Sequence, residues 1–255
     1  MILTIDIGNT NTVLGCWKGD KLCITLRMHT DRDRTADEYS LLIGGLLRDR
    51  GAEPREISGG ILSSVVPELR KVIKDAMALL TGRTFLCVGA GLKTGLDIRM
   101  DNPAQLGADL VVDAVAALAK YKPPLVIFDM GTATTMSVID ENGAYRGGMI
   151  IPGLRLSVDA LSARAAQLPY IHLGPPERFI GSNTIDCMQS GAVYGSALMI
   201  DGLIARTAEE LGRPVTAVAT GGLMALIHEF CRSGLHYDAD LMLEGLYILY
   251  KKNTK

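Results

Sequence analysis

The chain repeats itself. Residues 5–14, "IDIGNTNTVL", align without gaps to residues 128–137, "FDMGTATTMS", keeping an aspartate, a glycine and a threonine in step. Each copy is a short apolar run that reaches an acid, then a glycine, then hydroxyl or amide side chains, before a second run begins. Self-similarity at so long a spacing points to two related halves rather than a solenoid of short repeats. The fold must therefore build the same strand-turn-strand unit twice.

The flanking sequence agrees. "ILTIDI", "TVLGCW" and "KLCITLRM" read as three antiparallel strands, with turns at 8–11 and 18–20. "TADE" at 35–38 has the form of a capping box and leads into "YSLLIGGLLRDRG", a helix closed by Gly51. "GGILSSVV" reads as a strand, "PELRKVIKDAMALLTG" as a helix with Pro67 at a permitted first position, and "TFLCVGA" as another strand. The order then restarts. "PLVIFDMG", "TTMSVID" and "YRGGMIIPG" are strands, "LRLSVDALSARAAQ" is a helix, and "MQSGAVYGSALMIDGLIARTAEELG" is a long helix. A strand in "PVTAVATGG" and two closing helices follow. Three strands, helix, strand, helix, twice over, is a mixed α/β fold. The expected division lies within 103–122, giving an N-terminal domain 1–115 and a C-terminal domain 116–255 joined by a helix.

Composition narrows the function. The five cysteines are scattered and odd in number, with no C-x-x-C pair, which fits reduced thiols and a cytoplasmic setting. The N-terminus lacks a basic leader and reads as a buried strand rather than a signal peptide. No stretch approaches the ~20 apolar residues of a membrane span. Net charge is −2, and basic clusters such as "DRDR" at 31–34 are interleaved with acids, which argues against a nucleic-acid surface.

The two Asp-x-Gly turns are the best candidates for chemistry. An acid ends a buried strand, a glycine lets backbone N–H groups approach an anion, and Asn9, Thr10, Asn11 and Thr12, or Thr132, Thr134 and Thr135, offer donors to phosphate oxygens. One such turn alone could be an ordinary hairpin with an Asx-turn; its recurrence at the matching position favours a metal-phosphate site. "GGMIIPGL" and "VATGGLMAL" each pass from strand to helix through glycines, either as anion sites or as plain punctuation. "GAGLKTG" at 89–95 resembles a P-loop, but Leu92 stands where the glycine before the lysine belongs, so it reads as a loop. His29, His172, His228 and His236 lack metal-ligand spacing and read as surface or packing residues. Asp109, in "GAD" at the start of an apolar helix, is either a proton acceptor or a helix cap. Asp113, one turn later, either supplements it or belongs to a solvated stripe.

Together, "DIGNTNT", "NPAQLGAD", "DMGTATT", "GGMIIPG" and "TGG", in this order, resemble the type III pantothenate kinases over essentially the whole chain. The resemblance implies a duplicated ribonuclease H-like fold of the actin-like ATPase and sugar kinase superfamily, with mixed sheets and an active-site cleft between domains. It implies phosphorylation of pantothenate by ATP, the first step of coenzyme A synthesis. Asp6, Ile7, Gly8, Asn9, Thr10, Asn11, Thr12 and Val13 match the family's first phosphate motif, and Thr132 an ATP contact. Asp109 matches the proton acceptor, within a pantothenate-contacting segment formed by Gly107, Ala108, Asp109 and Leu110. Residues 100–103 resemble the loop leading into that pocket. Thr184 matches a substrate contact that the family's homodimer brings to the site. Asp129 matches the position that binds a monovalent cation, K+ or NH4+, while Asp6 would meet the Mg2+ of ATP through water. The family commonly carries an arginine where this chain has Leu110; Arg99 is a candidate to compensate. Two other functions remain open at this point: a non-catalytic transcriptional regulator of the same family, and another small-molecule kinase or phosphatase of the superfamily.

Overall fold

The computed structural model describes residues 1–254. Its elements begin with β1 (Ile2–Ile7), β2 (Asn11–Lys18), β3 (Lys21–His29), α1 (Ala36–Asp49), β4 (Gly59–Ser64), α2 (Pro67–Thr81), β5 (Leu86–Cys87), β6 (Asp97–Ile98) and α3 (Ala108–Lys120). They continue as β7 (Leu125–Met130), β8 (Ala133–Ile139), β9 (Ala144–Pro152), α4 (Leu154–Arg164), α5 (Thr184–Leu211), β10 (Thr216–Thr220), α6 (Met224–Ile227), β11 (Leu235–Tyr237) and α7 (Leu241–Asn253).

These elements form two compact units. The first comprises Met1–Gly95, Ala104–Ala116 and the chain from Leu241 onward; the second comprises Leu96–Pro103 and Ala117–Asp240. A single cut after residue 115 therefore does not describe them. It strips α7 from the core it completes, and it leaves 96–103 with the wrong half.

In the first unit a five-stranded sheet runs β3-β2-β1-β4-β5, with β1 antiparallel to β2 and parallel to β4. Leu3, Ile5 and Ile7 alternate along β1 toward Tyr39, Ile43 and Leu47 of α1 and Leu69, Ile73 and Met77 of α2, as a period of two against a period of 3.6 requires. Helix α1 starts where the sequence indicates. Thr35 accepts from the Glu38 N–H at 3.3 Å and its own N–H donates to Glu38 Oε2 at 2.8 Å, a complete capping box. Helix α2 begins at Pro67 and ends at Gly82 in the left-handed conformation. The other sheet face is closed by α7: Trp17 donates to Thr4 Oγ1 at 3.0 Å and stacks on Tyr247 with ring centroids 4.3 Å apart.

The second unit repeats this plan. Its sheet runs β11-β10-β7-β8-β9-β6, again with the first hairpin antiparallel and the inner crossover, β7 to β10, parallel. Reading β7, β8, β9, β10 and β11 for β1 to β5 reproduces the first sheet, and β6 is an added edge strand. Val193, Ala197, Ile200 and Ile204 form the buried stripe of α5 against Phe128, Met136 and Ala219.

Three expectations are corrected. Of "TFLCVGA" only Leu86–Cys87 pairs as a strand. The long helix begins at Thr184, capped by Asn183, rather than inside "MQSG". The two closing helices are instead the single turn α6, the short strand β11 and then α7. β6 and β11, of two and three residues, carry too little alternation to be read from sequence.

Candidate active site

The first turn joins β1 to β2. Asp6 is the next-to-last residue of β1, opposite Val13 on one side and Ser63 on the other. The Gly8 N–H donates to the Asn11 carbonyl at 3.0 Å, and a side chain at Gly8 would sit only 3.0 Å from that oxygen. Thr10 accepts from the Thr30 N–H at 2.9 Å, and the buried hydroxyls of Thr12 and Thr30 share a hydrogen bond of 2.9 Å. Thr12 therefore fastens the turn from beneath and spends its hydroxyl there, leaving Asn9 and Thr10 exposed at the tip. Arg32 reaches the same tip. Its Nη2 donates to Asn9 Oδ1 at 2.9 Å and its Nη1 pairs with Glu68 at 3.4 Å. The loop that carries Arg32 is held by Tyr39, whose hydroxyl donates to the Asp31 carbonyl at 2.6 Å. Sequence reasoning missed this arginine because "DRDR" shows only alternating charge.

The second turn is one residue shorter. Asp6 pairs with Val13, but Asp129 pairs with Thr135, and the Gly131 N–H donates to Ala133, two residues on, at 3.0 Å. The gap-free alignment thus slips by one beyond the glycine. Thr12 corresponds to Thr134, opposite Met130 as Thr12 is opposite Ile7, and both threonines are buried. Two glycines pack on this turn. Gly221 has φ +96°, and a Cβ there would lie 2.5 Å from Asp129 Oδ1 and from the Met130 nitrogen. A Cβ on Gly153 would strike the carbonyl of Thr132 and lie 2.7 Å from that of Gly131. The two glycine-rich stretches therefore do more than start helices: their backbones come up against Asp129–Thr132 where no side chain fits.

Asp109 stands in the first turn of α3, after the helix opens with the Val111 N–H bonded to the Gly107 carbonyl at 3.1 Å. Burial raises its pKa; hydrogen bonds from the N–H of Leu110 and from its own N–H pull the other way without cancelling the effect. Helix α3 is seated on α7, where a Cβ on Gly245 would overlap the Val112 carbonyl. Asp113 is 1% exposed, which rules out the solvated stripe. Leu110 is half-buried, and the exposed Arg99 pairs its Nε with Asp97 at 2.9 Å.

Thr184 opens α5 in the second unit. It lines an apolar cavity of about 680 Å³ together with Thr134, Ile151, Leu161, Cys187 and Met199. Around it, Leu156 and Leu161 of α4 and Ile185 and Leu198 of α5 are each about half exposed.

The remaining candidates resolve as structure. Asn253 bonds both the N–H and the carbonyl of Lys93, and Lys252 donates to the Thr94 carbonyl at 2.9 Å, so "GAGLKTG" is a loop tied to α7. His228 bonds the Met224 carbonyl and stacks on Tyr237, while His236 stacks on Tyr121. All five cysteines are free thiols, and burial pushes Cys16 and Cys231 up to about 11, which leaves them unreactive. Among the described residues no group of three or more His, Cys, Asp or Glu could hold a metal, and no helix is long and apolar enough to cross a membrane.

Comparison with known proteins gives a consistent result. A family model described as type III pantothenate kinase matches residues 2–206. A type III pantothenate kinase of Exiguobacterium sp. is 47% identical over 255 residues, covering all of both chains. Among solved structures, a Campylobacter jejuni chain whose name places it in the Baf family of transcriptional activators superposes with a TM-score of 0.61 at 19% identity, covering 98% of each chain. A ROK hexokinase of Thermus thermophilus superposes with a TM-score of 0.51 at 14% identity, covering 98% of this chain and 99% of its own. At those identities the two structures speak for the fold alone.

Proposed function

The chain belongs to the type III pantothenate kinase family, and on that premise we propose how its residues share the work. The reaction is the ATP-dependent phosphorylation of pantothenate to 4'-phosphopantothenate, which opens coenzyme A biosynthesis. Phosphoryl transfer asks a protein for positioning and charge stabilisation more than for covalent chemistry.

Asp109 carries the proposal. A proton acceptor for an alcohol benefits from a pKa raised toward the working pH, and burial supplies that shift here. In this scheme Asp109 accepts a hydrogen bond from the primary hydroxyl of pantothenate and takes its proton as the phosphorus-oxygen bond forms. Gly107, Ala108 and Leu110 line the pantothenate segment, with Thr184 as a further substrate contact. Leu110 has no charge to offer a carboxylate, so acceptor affinity depends less on this position than an arginine there would make it.

ATP is accompanied by a divalent metal in this family. With no cage of carboxylates among the described residues, a small cation that keeps waters and phosphate oxygens in its shell, Mg2+, suits a single Asp6 reached through water. The N–H groups and the exposed Asn9 and Thr10 of the 6–13 turn would face phosphate oxygens, and Thr132 matches an ATP contact of the family. Asp129, with the Gly221 backbone close against its Oδ1, matches the family position for a monovalent cation and would hold K+ or NH4+. When bound, such cations offset phosphate charge. A homodimer in the cytoplasm completes the proposal, supported by the half-exposed apolar side chains of α4 and α5 and by five unpaired thiols.

A non-catalytic regulator is not favoured. Likeness to the Campylobacter chain carries the fold alone, whereas the full-length relative at 47% identity is a kinase by name. The test is a coupled ADP-release assay with pantothenate, run with and without potassium. Turnover on pantothenate that rises with potassium is expected; no turnover, or turnover on other acceptors alone, contradicts the assignment.

A further inference from the structure

We propose that Gly107 is a positioning residue for Asp109: the side chain it lacks leaves the space in which the Asp109 carboxylate rests at the start of α3. The inference deepens the role given to Asp109 above and rests on it.

A methyl group built on Gly107 would overlap Asp109 Oδ1, and the next nearest atoms are Asp109 Cγ at 3.6 Å and Leu110 Cγ at 3.8 Å. The carboxylate is thus the one group within reach that has to move. Glycine is not demanded here by the backbone, because Gly107 is absent from the residues with positive φ. A swing of the backbone away from an added methyl is opposed by the Gly107 carbonyl, which accepts from the Val111 N–H at 3.1 Å. Rotation of the Asp109 side chain relieves the overlap, and it disturbs the hydrogen bonds that the carboxylate accepts from the N–H groups of Leu110 and of Asp109 itself. A base displaced in this way loses its alignment with the acceptor hydroxyl while fold and nucleotide site stay as they were. Displacements of about 1 Å at a reacting group cost on the order of 10²-fold in rate.

The experiment compares wild type, G107A, D109A and the double variant G107A/D109A by ADP release with pantothenate and by thermal melting. G107A is expected to lower kcat by about tenfold or more, with the KM for ATP unchanged within about twofold. In the D109A background the same substitution should leave the melting temperature unchanged, because the group it displaces is gone. If G107A proves unstable, recovery of the D109A melting temperature in the double variant still locates the clash at Asp109. Wild-type kcat in G107A, a rise confined to the KM for pantothenate, or an equal loss of melting temperature in the D109A background would each overturn the proposal. Should wild type fail to use pantothenate, or D109A retain turnover, the role of Asp109 fails and this proposal falls with it; failure in G107A alone leaves that role standing.

Discussion

At the scale of single residues, the sequence identified acids and glycines but not their surroundings. By residue type Asp109 is a cap or a base; desolvation raises its carboxyl pKa, which suits the proton acceptor proposed above. A raised carboxyl pKa also has a stability consequence. The folded state holds the proton more tightly than the unfolded state, so the term favours folding at low pH and turns against it as pH rises from the unfolded value through the folded one. At neutral pH the ionised, half-buried Asp109 disfavours folding. Asp109→Asn is therefore expected to melt at or above the wild-type temperature at pH 7, the gap closing as pH falls toward 4. A clear drop in melting temperature would mean that the carboxylate supports the fold. Arg32 could not be tied to the first turn from sequence, because its contact is with Asn9, 23 positions away; the glycines of "TGG" stood out in sequence, but the approach of Gly221 to Asp129, 92 positions away, did not.

Elements were legible in proportion to their length and their caps. Helix α1 follows from its capping box, and α2 from proline at its start and glycine at its end. The hairpin register did not follow. The shared threonine of the two motifs suggested a gap-free match, and only the ladder shows that the second turn has dropped a residue. Helix α5 shows an interaction with no sequence signature. Asp201 accepts from the N–H of Arg232 at 2.9 Å and from the N–H and hydroxyl of Ser233 at 2.9 and 2.5 Å, tying α5 to the loop before β11. Burial raises its pKa, but the hydrogen bonds from Ser233 and Arg232 outweigh burial and leave it lowered. For a lowered carboxylate, stability is present above the unfolded value and lost as pH falls through the folded one. Asp201→Ala should cost about 1–3 kcal/mol in urea unfolding at pH 7, and the difference should shrink below about pH 4. An equal difference at both pH values would assign the loss to packing instead.

At the scale of the whole molecule, duplication explains most of what could be read in advance. Both sheets repeat one strand order with one pattern of parallel and antiparallel pairs; the matched Asp-x-Gly turns pointed to the duplication, and the order itself comes from the structure. The division of the chain was less legible, because α7 is last in sequence yet closes the first unit by stacking Tyr247 on Trp17. Assembly belongs to this scale too. Leu198 is 53% exposed on α5, and Leu198→Arg is expected to convert a dimer to a monomer in analytical ultracentrifugation; an unchanged dimer would place the interface elsewhere. The central claim remains that this duplicated fold moves a phosphoryl group to pantothenate with Asp109 as proton acceptor. Its most direct test is kcat for Asp109→Asn beside wild type, measured by ADP release at saturating ATP and pantothenate. A loss of about 10²-fold or more, with ATP binding intact, is the predicted result; turnover near that of wild type would contradict it.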